Sequence, residues 1–253
     1  MSKSETDKHW NERAAQLKQN ALVNIGDSAQ RDVELHYILP HLKSDDVLLE
    51  VGCGNGFVTE LLRKVVRHVD AFDYAENMIE RAKKSYGEEN NRFFHDNVLA
   101  PANLSGPYDA VLCVRVLINL RDMEEQERAI RNLANALKPG GRLLLVVGCT
   151  HGFESLSAVR QSVGMSPLQP AQINFYSRKS EVLPVIEEFF ELDDTFHTGM
   201  FDILTRVVYP ALVGEENAGV SDFHTKIAPI AKVLNPEALS EYARLEGMVL
   251  VRK

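Results

Sequence analysis

Two acids and a run of glycines stand where chemistry is to be expected. Glu50 lies near the end of the apolar run Leu48-Leu49-Glu50-Val51, Gly52-Cys53-Gly54-Asn55-Gly56 follows at once, and Asp73 closes the next apolar run, Ala71-Phe72-Asp73. Glycine permits backbone conformations, and an approach to a ligand, that a Cβ forbids. A carboxylate at Glu50 repels a pyrophosphate but holds a cationic ligand, directly or through water. The spacing GxGxG also differs from the GxGxxG of dinucleotide sites. Asp73, at the tip of a second strand, is placed to accept two hydrogen bonds from a ribose diol. Together these residues describe a cradle for a positively charged nucleoside that has no phosphate.

S-adenosylmethionine carries a diol and a sulfonium and fits that description. The expected contacts to it are Glu50, Gly52, Cys53, Gly54, Asn55, Gly56 and Asp73. Tyr74 and Met78 are expected as an apolar wall, Asp96, Asn97 and Val98 as readers of the adenine, and Val114 as a neighbour of the methionine portion. Arg115 follows Val114 at a strand end and is expected at the reaction centre, as a catalytic and substrate-binding candidate. His151 and His197, each just past or at the end of a strand, are preferred as bases over His9, His36 and His224. Arg31, Arg115, Arg160 and Arg206 fall in segments that border the pocket, and any two that converge would form a fork-shaped anion site. Trp10 either anchors an N-terminal helix or closes a lid over the donor, and Tyr176 and Tyr209 complete the substrate-side candidates. Cys53, Cys113 and Cys149 lack metal-ligand spacing and a Cys/His arrangement, so neither a metal nor a thiol nucleophile is expected.

The elements that must position these groups are legible as a β/α rhythm. Strands are expected at Val47–Val51, Val69–Phe72, Phe93–His95, Tyr108–Val114 and Leu143–Val147, with helices at Phe57–Val65, Glu76–Tyr86 and Glu124–Leu137. Apolar strands alternating with amphipathic helices predict a parallel sheet covered on both faces, with every strand C-terminus along one edge. Before them, Thr6–Asn24 reads as a polar helix and Ala29–His41 as a second, with Ser28 as its cap. After them, Glu154–Val163 and Lys179–Phe189 read as helices, Glu191–His197 and Met248–Val251 as strands, and Phe201–Val213 is ambiguous between helix and strand.

The set Glu50-Val51-Gly52-Cys53-Gly54-Asn55-Gly56, Asp73, Asp96, Tyr108-Asp109-Ala110-Val111 and Leu137-Lys138-Pro139-Gly140-Gly141 resembles, in order, the class I S-adenosylmethionine methyltransferases over about residues 45–150. That resemblance implies an α/β, Rossmann-like, seven-stranded, mostly parallel sheet with an antiparallel last strand. Met248–Val251 would be that strand and Glu191–His197 its hairpin partner. Residues 1–41 then form an N-terminal helical cap or lid, and 42–253 the Rossmann-like domain, with a cap insertion at about 200–246 between the last two strands. The runs Val114–Leu120 and Leu204–Pro210 resemble a small-molecule or sugar-modifying branch of the family.

Composition bounds the partners. Asp and Glu number 36 against 28 Lys and Arg, a net charge of -8 that disfavours nucleic-acid and anionic-membrane surfaces. No apolar run is long enough to span a bilayer. A polar N-terminus and an unpaired set of cysteines predict a cytoplasmic protein. The expected function is methyl transfer to a small polar, possibly anionic, acceptor, most simply by O-methylation of a sugar derivative, a carboxylate or another metabolite. Two alternatives stay open: a noncatalytic S-adenosylmethionine sensor or partner scaffold, and a nicotinamide-dependent oxidoreductase. Monomer and homodimer are both compatible with the sequence.

Overall fold

The computed structural model describes residues 3–17 and 20–253. Its centre is one seven-stranded sheet: β1 Val47–Val51, β2 His68–Asp73, β3 Asn91–His95, β4 Tyr108–Val114, β5 Leu137–Gly148, β6 Phe190–His197 and β7 Leu245–Arg252, in the order β3-β2-β1-β4-β5-β7-β6. β1 to β5 are parallel, and β7 runs antiparallel between β5 and β6. The expected seven-stranded sheet with an antiparallel last strand is therefore present. The Lys138-Pro139-Gly140-Gly141 turn falls inside β5, where a register shift lets four residues loop out opposite Asp109.

Side chains alternate across the sheet, so each strand feeds two cores. Leu49, Val51, Val111 and Leu145 pack on one face with Ile130 and Leu133 of the helix Met123–Ala136 and with Val182 and Ile186. Leu48, Ala110 and Leu144 face the other way, onto Ile38, Leu62 and Ile79. A fully buried leucine of this kind contributes about 1.5–3 kcal/mol. Strand order reverses between β1 and β4, and the crevice at their C-terminal ends is where an open α/β sheet binds ligands.

Two N-terminal expectations need correction. The first helix ends at Gln16 and Asn20–Leu22 form a separate turn, because Arg13 reaches past the helix end. Its Nη2 donates to the Leu22 carbonyl (3.0 Å) and its Nε to that of Val23. The second helix, Ser28–Ile38, is capped by Asp27 rather than Ser28; Asp27 Oδ1 accepts from Ala29 N (3.1 Å) and Gln30 N (3.2 Å). The ambiguous run after β6 is helical: Gly199–Ile203, a π-helical turn at Leu204–Val208, then Tyr209–Val213. A longer helix, Asp222–Val233, follows, and its Ile227, Ala228 and Ala231 pack with Phe201 against Ala29 and Val33. The segment before β1 and the segment between β6 and β7 thus share a small core of their own. No helix among the described residues is long and apolar enough to cross a membrane.

Candidate functional site

The glycine turn leaves β1 and is sewn to β2. Gly52 N and Cys53 N donate to the Phe72 carbonyl (2.8 and 3.0 Å), and Gly54 N donates to Asp73 Oδ2 (2.8 Å). The other Asp73 oxygen accepts from Ala75 N at 2.8 Å. Gly52 has φ 71°, and a Cβ there would collide with Val116, across the mouth of the crevice. Asn24 clasps the turn from outside: its Nδ2 donates to the Cys53 carbonyl (3.1 Å), and its Oδ1 accepts from Asn55 N (3.3 Å). Cys53, Asn55 and Gly56 are buried supports of this turn rather than lining residues.

Both acids are buried, and no basic side chain hydrogen-bonds to either among the described residues. Glu50 accepts from Thr59 Oγ1 at 2.5 Å. Burial, against that hydrogen bond and with added repulsion from Asp73, pushes the Glu50 carboxyl up to about 8. Burial likewise pushes Asp73 up to about 6, in spite of its backbone donors. Two acids held against their charged state are the setting in which a cationic, hydroxyl-bearing ligand gains most.

Glu50, Gly52, Gly54, Asp73, Tyr74, Met78, Val114 and Trp10 all line one cavity of about 230 Å³. Tyr74 Oη is buried there without a hydrogen-bond partner. Asp96, Asn97 and Val98 line an adjoining cavity of about 60 Å³, which shares Val51, Gly52, Tyr74, Val116 and Asn119 with the first. Asp96 spends its carboxylate on its own loop, accepting from the backbone N–H groups of Asn97, Ala102 and Asn103 (2.8–3.1 Å). Trp10 Nε1 donates to Asn119 Oδ1 (3.3 Å), and Asn119 Nδ2 donates to the Arg115 carbonyl (2.8 Å), tying the first helix to the end of β4.

Part of the lining of the larger cavity carries charge. Arg31, Glu34 and Arg115 meet there, so two of the four candidate arginines share the cavity. Arg115 has φ 58°, the one non-glycine residue in the left-handed region among the described residues, a conformation that costs about 1–3 kcal/mol and marks a constrained position. Burial, and then repulsion from Arg115, lower the pKa of Arg31. Glu34 and Asn24 carry no signal in the sequence, because both lie before the first strand in helix and loop segments of ordinary pattern.

The remaining candidates lie elsewhere, each with its own partners. Arg160 donates to the carbonyls of Ser166 (2.6 Å) and Arg206 and pairs with Glu215. Arg206 is half-buried, with Nη2 3.8 Å from Asp27 Oδ2, and burial lowers its pKa to about 10. His151 Nε2 lies 3.0 Å from Glu246, which also takes Lys179 at 2.8 Å; the Glu246 contact raises the histidine's pKa. His197 Nδ1 accepts from Gly199 N (3.2 Å). Tyr176 Oη accepts from Asn174 and its ring packs on Phe153; Tyr209 stacks on Phe223 and accepts from Ser221 Oγ (2.9 Å). None of these six lines either cavity; Ile173 and Asn174 are the lining residues from that part of the chain. The three cysteines are buried, and burial raises every thiol, Cys113 and Cys149 to about 12.

Comparison with known proteins agrees with this geometry. Residues 48–141 match the methyltransferase domain family. The malonyl-[acyl-carrier protein] O-methyltransferase of Bacillus anthracis is 32% identical over 111 residues, 43% of this chain and 40% of that protein. A ubiquinone biosynthesis O-methyltransferase of Xanthomonas axonopodis is 32% identical over 122 residues, 46% of this chain and 49% of that protein. The chain thus spans less than half the length of these two relatives. In fold it is similar to the N-methyltransferase NodS of Bradyrhizobium japonicum in complex with S-adenosylhomocysteine (TM-score 0.59, 17% identity, 98% of both chains). It is also similar to the magnesium protoporphyrin IX methyltransferase of Synechocystis with bound S-adenosylhomocysteine (TM-score 0.54, 17% identity, 100% of this chain and 89% of that one). Residues 48–141 thus match a methyltransferase domain, and the seven strands around them take the order of a Rossmann-like methyltransferase fold.

Proposed function

We propose that the protein transfers a methyl group from S-adenosylmethionine to a small polar acceptor, with oxygen as the favoured acceptor atom. The observation that carries this reading is the meeting of Glu50, Gly52, Gly54 and Asp73 in one cavity, with no basic side chain among the described residues hydrogen-bonded to Glu50 or Asp73. Asp73 would take the ribose hydroxyls on the lone pairs its backbone donors leave free, and Glu50 the cationic end. Tyr74 Oη is a buried donor available to the same ligand. The side chains of Asn97 and Val98 would flank the adenine in the smaller cavity, with Asp96 shaping the loop that carries them. Bound there, S-adenosylmethionine supplies a methyl carbon already activated by its sulfonium. The chain's own work is then to orient the acceptor and keep water out. Trp10 and the first helix, over the cavity, would serve as the water-excluding lid. Arg31 would meet the donor's own α-carboxylate. The curated relatives are named for O-methylation, which supports oxygen as the acceptor atom.

Calorimetric titration with S-adenosylhomocysteine tests the reading. Binding is expected for the wild type, and Asp73→Asn should weaken it about 10- to 100-fold, the scale of a lost charge-assisted hydrogen bond. Heat from NADH and none from S-adenosylhomocysteine would refute it.

A further inference from the structure

With the donor in place, the charges of the larger cavity balance. Arg31 and Arg115 share its lining with three acids, Glu34, Glu50 and Asp73, so one net negative charge remains when all five are ionised. S-adenosylmethionine brings a sulfonium, an ammonium and its own α-carboxylate, one net positive charge, and nothing is left over. Glu34, 1% exposed, is held from behind. Its Oε1 accepts from Gln30 Nε2 (3.2 Å), Gln30 Oε1 accepts from Arg244 Nη2 (3.0 Å), and Arg244 Nε donates to the fully buried Asp202 (2.7 Å). This four-residue relay from the segment after β6 leaves Glu34 Oε2 facing Arg115 Nε at 3.5 Å. Arg31 gives one Nη to the Ala21 carbonyl and makes no other hydrogen bond among the described residues, so it is open to the donor's carboxylate. Glu50 and Asp73 remain for the cationic end and the ribose. A charged acceptor would be buried here without a counter-ion, which is costly.

The lining beyond β4 is uncharged. Ile118 follows β4, and Ile173 and Asn174 come from the chain between the helices Thr150–Ser162 and Lys179–Phe189. That chain is fixed over the ends of β4 and β5. Phe175 N donates to the Ile118 carbonyl (2.7 Å), and the buried Gln126 Nε2 donates to those of Leu117 (3.0 Å) and Phe175 (3.4 Å). Gly148, the last residue of β5, lies so close beneath the Tyr176 ring that a Cβ there would collide with it. In the order β2-β1-β4-β5, this wall stands at the opposite end of the cavity from Asp73, past the strand that carries Glu50. A donor with its ribose on Asp73 and its cationic end on Glu50 leaves the wall to the acceptor. The Asn174 carboxamide donates to Tyr176 Oη (2.8 Å), and its oxygen and second N–H have no partner among the described residues. Two isoleucines and one amide suit an apolar body with one hydroxyl, and no carboxylate, imidazole or amine stands among them to take a proton. We propose, building on the methyl-transfer reading, that the acceptor is an uncharged phenol packed on Ile118 and Ile173, with its hydroxyl held by Asn174. A phenol loses its proton to water in the range of tyrosine, about pH 10, whereas an aliphatic alcohol needs a base. The phenolate oxygen forms the bond to the methyl carbon. The carbon–sulfur bond breaks with its electron pair to sulfur, and the phenolate and sulfonium charges cancel. The carboxamide accepts from the hydroxyl and, once the proton has gone, donates to the phenolate.

The first test locates the wall without a substrate. Asn174→Cys should be methylated on its own thiol by S-adenosylmethionine, the thiolate displacing S-adenosylhomocysteine, as read by peptide mass spectrometry. Ser180→Cys, at an exposed position outside the cavity, and the wild type, whose three cysteines are buried, should not. The second test gives the full wild-type chain 4-methylphenol, 4-methoxyphenol, benzyl alcohol and benzoate. Both phenols should be methylated on oxygen, and the alcohol and the carboxylate at least about a hundredfold more slowly. At saturating donor, kcat/KM for 4-methylphenol should rise about tenfold between about pH 8 and 9, following the phenolate fraction. Asn174→Ala should raise the KM for 4-methylphenol about fivefold, with S-adenosylhomocysteine affinity retained. An Asn174→Cys protein that binds S-adenosylhomocysteine and stays unmethylated would overturn the proposal. So would benzoate or benzyl alcohol matching the phenols, a rate flat across that pH range, or a panel left unmethylated by wild type that binds S-adenosylhomocysteine. Failure of the wild type to bind S-adenosylhomocysteine at all strikes the donor reading instead.

Discussion

At the scale of single residues, the acids of the donor cradle carry the sharpest consequence. Glu50 titrates near 8 and Asp73 near 6 in the folded chain, both above an ordinary carboxyl. A carboxyl whose folded pKa is raised costs stability with each rise in pH across the range where the unfolded chain releases its proton and the folded chain still holds it. The contribution of the bound proton is full below the unfolded carboxyl range, falls as pH rises, and is gone above about 8 for Glu50. Ligand binding runs the other way, since a cation or a diol prefers the anions. Affinity for S-adenosylhomocysteine should therefore climb from pH 6 to pH 8 by up to about tenfold per unit, with proton release on binding. Glu50→Gln should flatten the upper part of that climb. Calorimetry in two buffers of different ionisation enthalpy measures both effects, and a flat profile in the wild type would remove the physical basis assigned to Glu50. These acids were legible in the sequence because strand tips and glycine spacing fix where they stand. Glu34 was not, since nothing in Gln30-Arg31-Asp32-Val33-Glu34 distinguishes a solvated helix face from a buried one.

At the scale of elements, the strands were readable and the helices that cover their ends were less so. All seven strands stand where the sequence predicts them, with β5 and β7 extended beyond their apolar centres and β6 mostly polar and exposed. Helix ends differ from the expected ones where a single side chain decides them, as Arg13 does for the first helix by reaching Leu22, and Asp27, the residue just before the second, does by capping it in place of Ser28. The π-helical turn at Leu204–Val208 and the relay through Arg244 depend on packing between segments far apart in sequence, which periodicity does not encode. That relay makes a prediction for the segment after β6. Asp202→Asn leaves the Arg244 guanidinium buried without its counter-charge, a change that costs about 3–5 kcal/mol in comparable settings. Urea denaturation should show that loss as a lower midpoint. In protein still folded at low temperature, the S-adenosylhomocysteine affinity should be kept, because the relay ends at Glu34 and not at the glycine turn. A donor affinity that fell with stability would mean that the two ends of the cavity are not separable.

At the scale of the whole molecule, the site is a composite of the sheet edge and the segments that precede it. The crevice between β1 and β4 supplies Glu50, the glycine turn and Arg115, while Trp10, Asn24, Arg31 and Glu34 arrive from residues before β1. Arg81 Nη1 donates to the carbonyls of Ala14 (2.7 Å) and Leu17 (2.5 Å), so the first helix is pinned at its far end to the helix that follows β2. Donor binding and the seating of that helix should then be linked, each favouring the other. Trp10 is the chain's only tryptophan and lines the cavity, so its emission reports on this linkage without a label. Saturating S-adenosylhomocysteine should change that emission, with a midpoint equal to the calorimetric Kd. At a hundredfold excess over Kd it should stabilise the fold by about 2.7 kcal/mol. For a chain of this length that is a rise in Tm of roughly 5–10 °C. Arg81→Ala should loosen the helix, raise the donor's dissociation rate and shrink the emission change, while the sheet stays intact by circular dichroism. Equal emission with and without saturating ligand, in protein shown by calorimetry to bind it, would place Trp10 outside the donor's reach and leave the first helix a packing element alone.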